Sequence, residues 1–385
     1  MTQTATLTQA QEILHHQLQL LWEVPGMAEQ LPPIMLWGSP GVGKSTLIRE
    51  LCRSLDIGFV DVRLAQREPV DLRGLPVPDG DEVRWLLSSE WPRDPDSKGI
   101  ILFDELTAAD RTLQVAAYEL ILDRRLGDLY QVPEGWLICA AGNRSEDRAV
   151  AMTLSSALAN RFCHLELEPS LEGWTRWATR QDLSPEVVAF LRFRPQSFFS
   201  MQGNLERGWP SPRSWERVAR LLRVNQSLSE DSLALMVHGL VGEGSGTEFL
   251  AFRRWAAELP DVPALLRGEV DFRNPERADQ RHALCTALAH YLWKSSEKDQ
   301  NLYLKNFFRI SMQLSSDFAT MAMMDALDGP DEDSQLQRAE AIFGHPDFNA
   351  WSQLHGQVLA RAQQSGLSAS SDSEPSQPLP EGALL

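Results

Sequence analysis

Residues 38–45, Gly-Ser-Pro-Gly-Val-Gly-Lys-Ser, satisfy the spacing G-x-x-x-x-G-K-[ST] at every fixed position. Gly38, Gly41 and Gly43 let the backbone curl with its N–H groups turned inward, which suits phosphate oxygens. Lys44 supplies a cation for terminal phosphates, and the Ser45 hydroxyl is an oxygen ligand suited to Mg2+. Further along, the apolar run Ile100 to Phe103 leads into Asp104 and Glu105. A carboxylate ending a buried strand suits Mg2+, and a second beside it can take a proton from an attacking water. Asn143 closes the run "LICAAGN" and offers an amide to orient that water or to touch a terminal phosphate. Arg161 in "SSALANRFCHLEL" and Arg213 in "WPSPRSWERV" carry guanidinium groups fit to stabilise charge on a transferring phosphoryl group. Taken singly, each arginine serves as well in a structural ion pair.

These residues need a scaffold, and the hydrophobic pattern supplies one. "PPIMLWG" is a short apolar run before the glycine loop, and "KSTLIRELCRSL" after it has a helical period. "GFVDVRLA", "GIILFDEL", "GWLICAAGN" and "FCHLELEP" read as further strands, with "RTLQVAAYELILDRR" a helix between two of them. Strands alternating with helices predict a parallel sheet with crossover helices, and continuous apolar strands predict burial on both faces. Residues 6–22 predict an amphipathic helix opened by a Thr8/Gln11 capping box. His15 and His16 are adjacent, point apart and make a poor metal pair. Two stretches interrupt the rhythm. Residues 66–98 are rich in Pro, Gly and charge, and 124–136 read as a hairpin with Pro133 and Gly135 near its turn. Both are read as functional insertions, against plain surface decoration.

From Ser170 onward the strand pattern stops. "SLEGWTRWATR", "SPEVVAFLRF" and "SPRSWERVARLLRV" read as helices, the last two with Ser as cap and Pro in the first turn. Further helices are predicted near 229–241, 245–258, 276–295, 301–327 and 335–363, with "VGEGSGTE" as a helix-to-helix turn. The Met-rich "FATMAMMDAL" reads as helix core rather than a contact face. The Ser/Pro-rich residues 364–385 predict a disordered tail.

In this order, the glycine loop, the Asp-Glu strand end, Asn143, Arg161 and Arg213 resemble the AAA+ ATPases. "DVRLAQREPVDLRGLP", "DELTAADRTLQVAAYELILDRRLG", "AAGNRSEDRAV", "LANRF" and "SPRSWERV" are similar to segments of the MoxR branch. The resemblance covers about residues 10–260. It implies a P-loop NTPase α/β domain at 1–169 and an all-α lid at 170–262, and the helices predicted beyond them make a C-terminal helical region at 263–363. Walker A would be Gly38, Ser39, Pro40, Gly41, Val42, Gly43, Lys44 and Ser45, with Thr46 beside it. Walker B would be residues 100–105, with Asp104 and Ser45 holding Mg2+ and Glu105 as base. Asn143 would be sensor 1, Arg161 the arginine finger and Arg213 sensor 2. Many MoxR relatives have Asp before the finger arginine, where this chain has Asn160. The insertions at 66–98 and 124–136 would be the helix-2 insert and the pre-sensor-1 hairpin. Also implied are ATP as substrate, a ring that is usually a hexamer, a protein client and a partner with a von Willebrand factor A-like domain. Residues 265–385 carry no resemblance.

Charge narrows the alternatives. The net charge is −17, with 15 Lys and Arg against 25 Asp and Glu up to residue 170, and 21 against 28 beyond it. No basic stripe stands out, which disfavours non-specific nucleic-acid binding. A nucleic-acid or restriction-type motor stays open as the alternative, since a local basic patch inside a pore is compatible with this balance. A nucleotide-gated scaffold is disfavoured by the intact Glu105. No N-K-x-D motif for guanine is present, yet the loop itself does not choose the base. The four cysteines form no C-x-x-C pair and read as reduced core thiols of a cytosolic protein. No signal-peptide pattern opens the chain, and no apolar run is long enough to span a membrane.

Overall fold

A computed structural model describes residues 4–368 apart from 25, 145, 146, 148–153, 202–206, 225–227 and 297. The chain divides into two compact units. One comprises residues 1–175, 196–218 and 228–245, the other 176–195, 219–227 and 246–385.

The elements of the α/β part run β1 (Thr4–Ala5), α1 (Leu7–Glu23), β2 (Ile34–Trp37), α2 (Lys44–Ser54), β3 (Gly58–Arg63), α3 (Pro69–Arg73), β4 (Leu75–Asp79), β5 (Glu82–Leu86), β6 (Gly99–Asp104), α4 (Arg111–Leu122), β7 (Arg125–Leu126), β8 (Tyr130–Gln131), β9 (Trp136–Gly142), α5 (Ser156–Ala159) and β10 (Cys163–Leu167). Six strands form one sheet in the order β1-β10-β2-β9-β6-β3, and every pairing is parallel. The expected α/β class holds. Side chains alternate across the sheet, so β6 feeds two cores. Ile101 and Phe103 join Met35, Ile138 and α4 on one face, while Ile100 and Leu102 join Ile34, Leu137, α1 and α2 on the other. That double burial is why the strands read as unbroken apolar runs. Phe103 is 0% exposed, so Phe103→Ala should cost about 3–5 kcal/mol, read as a lower denaturant midpoint.

Parallel strands end on the same edge. β2, β6 and β9 therefore deliver Gly38, Asp104 and Asn143 to one side of the sheet, where open α/β sheets place their ligands.

Several boundaries differ from expectation. The first helix is capped by Thr6 and Gln9, not Thr8 and Gln11, because β1 pairs with β10 at residues 4 and 5 and the helix begins directly after. In the second insertion the turn lies between β7 and β8, at Gly127 (φ +52°), and Pro133 to Gly135 form the lead into β9. The first insertion holds α3 and the antiparallel β4–β5 hairpin, turning at Gly80 (φ +68°).

After β10 the described residues hold only helices and short turns: α6 (Leu171–Arg180), α7 (Pro185–Phe193), α8 (Pro212–Val224), α9 (Glu230–Val241), α10 (Glu243–Ala256), α11 (Val262–Arg267), α12 (Ala278–Leu292), α13 (Gln300–Ser311), α14 (Ser316–Leu327), α15 (Glu332–Phe343) and α16 (Phe348–Ser368). The Gly-rich turn shrinks to Gly242 (φ +82°), and α10 starts at the next residue. The helix expected at 301–327 is two, parted before the N-cap Ser315, and that at 335–363 is two, parted at Gly344 to Asp347, where Pro346 interrupts the ladder. Ser184 makes no side-chain cap bond, whereas the Ser211 Oγ accepts from the Ser214 backbone N–H at 3.2 Å. The Met-rich run is mostly core: Ala319, Ala322, Met323 and Ala326 are buried, in a cluster with Leu284, Phe307 and Trp351. α16 extends to Ser368, past the expected start of the tail, and 369–385 lie outside the described residues. Among the described residues no helix is long and apolar enough to cross a membrane.

Candidate phosphate-binding site

The loop between β2 and α2 is shaped by its glycines. Gly41 and Gly43 have φ of +86° and +107°, a region that costs any residue with a Cβ. A Cβ on Gly38 would sit 2.9 Å from the Leu167 carbonyl oxygen, so the strand end needs glycine for closeness to β10. Gly43 is the N-cap of α2 and makes no side-chain cap bond, so the first N–H groups of that helix lack intrahelical acceptors and can serve an anion.

Lys44 is 8% exposed. Its Nζ donates to the carbonyls of Gly38 (2.6 Å) and Ser39 (3.3 Å) and to Asn143 Oδ1 (3.0 Å). Burial pulls the ammonium pKa down to about 8; Asp104 and Asp147 oppose that shift, and Arg213 and Arg144 add to it. A lysine desolvated beside two arginines is a site that gains from an anion. The chain is acidic overall, so this positive charge is local.

Ser45 Oγ donates to Asp104 Oδ2 at 2.5 Å. A hydroxyl and a carboxylate in contact at the loop are a hard-oxygen pair that fits Mg2+, which takes few protein ligands and completes its shell with phosphates and water. Among the described residues no cluster of three or more His, Cys, Asp or Glu could hold a metal by itself.

Asp104 Oδ1 accepts the backbone N–H of Glu105 at 2.9 Å. Glu105 has φ +57°, a strained conformation for a side chain of its size and one that occurs preferentially at functional positions. Among the described residues its carboxylate has no hydrogen-bond or ion-pair partner, so it is available to a water. Asn143 is anchored through its backbone N–H to Thr107 Oγ1 at 3.1 Å. Arg213, in the first turn of α8, touches the loop through its backbone: its main-chain N–H donates to the Gly41 carbonyl at 3.2 Å, and Ser211 Oγ lies 3.2 Å from where a Gly41 Cβ would stand.

Arg161 is not brought to the loop. It is exposed and precedes β10, at the opposite end of the sheet. Cys163 pairs with Ile34, so Gly38 lies four residues beyond that level and Arg161 two before it. At about 3.3 Å per residue the separation along the strands is roughly 15–20 Å, longer than an arginine side chain.

Two groups of residues carry no clear sequence signal. Ser211 and Ser214 form the paired cap that sets α8 against Gly41, and only their Ser-Pro-Arg-Ser spacing hints at it. Arg144 and Asp147 bind Ser39; both follow Asn143 in a loop, where no periodicity marks them.

Residues 34–135, which include the glycine loop and Asp104-Glu105, match the family described as the viral superfamily 1 RNA helicase core domain. No curated protein matches the chain. Among solved structures, similarity is found to NtrX from Brucella abortus in complex with ADP, at 16% identity and TM-score 0.34, over 91% of this chain and 68% of that one. A putative ATPase from Cytophaga hutchinsonii matches at 14% identity and TM-score 0.29, over 91% and 88%. The Thermotoga maritima RuvB Holliday junction branch migration motor matches at 17% identity and TM-score 0.35, over 79% and 90%.

Proposed function

We propose that this chain is an ATPase of the AAA+ type, in its MoxR branch, which assembles as a ring and remodels protein complexes. The observation that carries the reading is a division of parts. Lys44, Ser45, Asp104, Glu105, Asn143 and Arg213 gather at one glycine loop, while Arg161 stands at the far end of the same sheet.

In this reading the loop 38–45 and Thr46 bind the triphosphate, and Ser45 and Asp104 hold Mg2+. When bound there, Mg2+ would offset negative charge on the phosphates. Glu105 draws a proton from the attacking water, Asn143 orients that water, and Arg213 senses the terminal phosphate from the lid at 170–262. Arg161 serves the neighbouring subunit, so hydrolysis to ADP and phosphate requires assembly, most simply a hexamer. The β4–β5 hairpin suits a protein client, because Leu75, Val83, Trp85 and Leu86 stand exposed on it. A von Willebrand factor A-domain partner and a cytoplasmic setting belong to the same reading. ATP over GTP rests on the resemblance alone.

Lys44→Ala should weaken binding of a fluorescent ATP analogue about a hundredfold, since it removes charge-assisted bonds to phosphate. Equal affinity in the variant and the parent would remove Lys44 from the site. The test of the whole reading is ATP hydrolysis per subunit against protein concentration, with native mass on the same samples. A specific rate that climbs as the ring forms supports a site completed between subunits. A concentration-independent rate from a monomer contradicts it.

The second reading is an NTPase acting on nucleic acid, favoured by the helicase-core match over 34–135 and disfavoured by the −17 charge. Stimulation of hydrolysis by single-stranded RNA or DNA, weakening steeply with salt, would decide for it.

A further inference from the structure

A partly buried polar cluster holds the second residue of the phosphate loop. Ser39 is 1% exposed; its hydroxyl donates to Asp147 Oδ1 at 2.6 Å and accepts from Arg144 Nη2 at 2.9 Å. Arg144 grips the same carboxylate twice, Nε to Oδ2 and Nη2 to Oδ1, both at 3.1 Å. Its backbone N–H adds a third bond to Oδ2 at 3.1 Å, and its Nη1 reaches Glu166 Oε1 on β10 at 2.9 Å. Burial pushes the Asp147 carboxyl pKa up, but the bonds from Arg144 and Ser39 outweigh it and hold the value below the ordinary one. The group is therefore an anion, 7% exposed.

A buried ion pair is a poor source of stability, because desolvation offsets most of its attraction. Its effect is geometric: each member has one position in which all its bonds are made. Here that position is imposed on the second residue of the glycine loop. The Ser39 carbonyl accepts from Lys44, and so does the side chain of Asn143, the residue before Arg144. The cluster thus joins the loop, the end of β9 and β10 around the lysine.

We propose that Arg144 and Asp147 are positioning residues that clasp Ser39 and hold the phosphate loop in its phosphate-accepting shape, and so set nucleotide affinity without touching the reacting atoms. This rests on the nucleotide-binding reading above. The chemistry is pre-organisation: a loop already ordered loses less freedom when ligand arrives.

The test uses the full chain, with a fluorescent ATP analogue plus Mg2+ for affinity, steady-state ATP hydrolysis for turnover, and thermal unfolding without nucleotide. Asp147→Asn should raise Kd about tenfold, the loss of a charged hydrogen-bonding partner, while kcat at saturation stays within about twofold. Ser39→Ala should also raise Kd, and the double variant should bind no worse than Asp147→Asn alone, because both break one unit. Arg144→Lys should bind as weakly as Arg144→Met, since lysine keeps the charge but lacks the fork. Unchanged Kd in Asp147→Asn, additive losses in the double variant, or a fall in kcat at constant Kd would each overturn the clasp and leave the nucleotide site standing. A parent protein that binds no nucleotide overturns both. Should Asp147→Asn unfold, Ser39→Ala and Arg144→Lys carry the test: normal affinity in both refutes it.

Discussion

Glu105→Gln should leave nucleotide bound and lower ATP turnover by about 10²–10⁴-fold, the contribution expected of a positioned general base. The amide keeps the shape and the Cβ of the glutamate, so the backbone at φ +57° is equally strained before and after. What is lost is the ability to accept a proton. Asp104 holds the Glu105 backbone N–H, and its other oxygen is engaged by Ser45, which leaves Glu105 as the carboxylate at this strand end without a partner among the described residues. Single-turnover hydrolysis with the variant in excess over ATP, together with the analogue's Kd, separates the two effects. Turnover within about threefold of the parent would mean that water is activated elsewhere and that the strain at Glu105 serves another purpose.

The parts of this site that can be read from sequence are those whose physics is local. A glycine loop between an apolar run and a helical period matches the strand-loop-helix context that a phosphate cradle requires, and residues 38–45 fold as expected. Strands buried on both faces leave unbroken apolar runs, which make β6 and β9 visible along with the polar residues at their ends. Where a signal is degenerate, tertiary structure decides. Thr6/Gln9 and Thr8/Gln11 both fit a capping box, and the choice falls to a strand pairing with residues 166 and 167. The short α11 escapes the pattern, although Asp261 caps it, Pro263 lies in its first turn and Gly268 (φ +75°) ends it; six residues give too little period to detect. The clasp is out of reach for another reason. Ser39, the pair Arg144 and Asp147, and Glu166 lie on three separate segments, and only the sheet order β10-β2-β9 makes them neighbours.

Arg161→Ala should lower turnover by about a thousandfold, the scale of removing an arginine finger, and leave ATP affinity and stability close to the parent. The residue is exposed, so the substitution should change folding by no more than about 0.5 kcal/mol. The loss is expected despite the distance from the loop, because parallel pairing of β10 with β2 sets Arg161 and Gly38 at opposite ends of the sheet. On the proposed reading, a guanidinium so placed serves a phosphate in another subunit. Mixing makes that claim specific. An Arg161→Ala subunit keeps Glu105, and a Glu105→Gln subunit keeps Arg161; on the proposed reading neither variant alone should turn over. In a randomly mixed equimolar ring with head-to-tail interfaces, about a quarter of the interfaces join an intact base to an intact arginine. Hydrolysis should therefore recover to about that fraction of the parent if interfaces act independently. No recovery at any ratio, with subunit exchange verified by native mass, would place the role of Arg161 within its own subunit, where the sheet gives it no path to the phosphate.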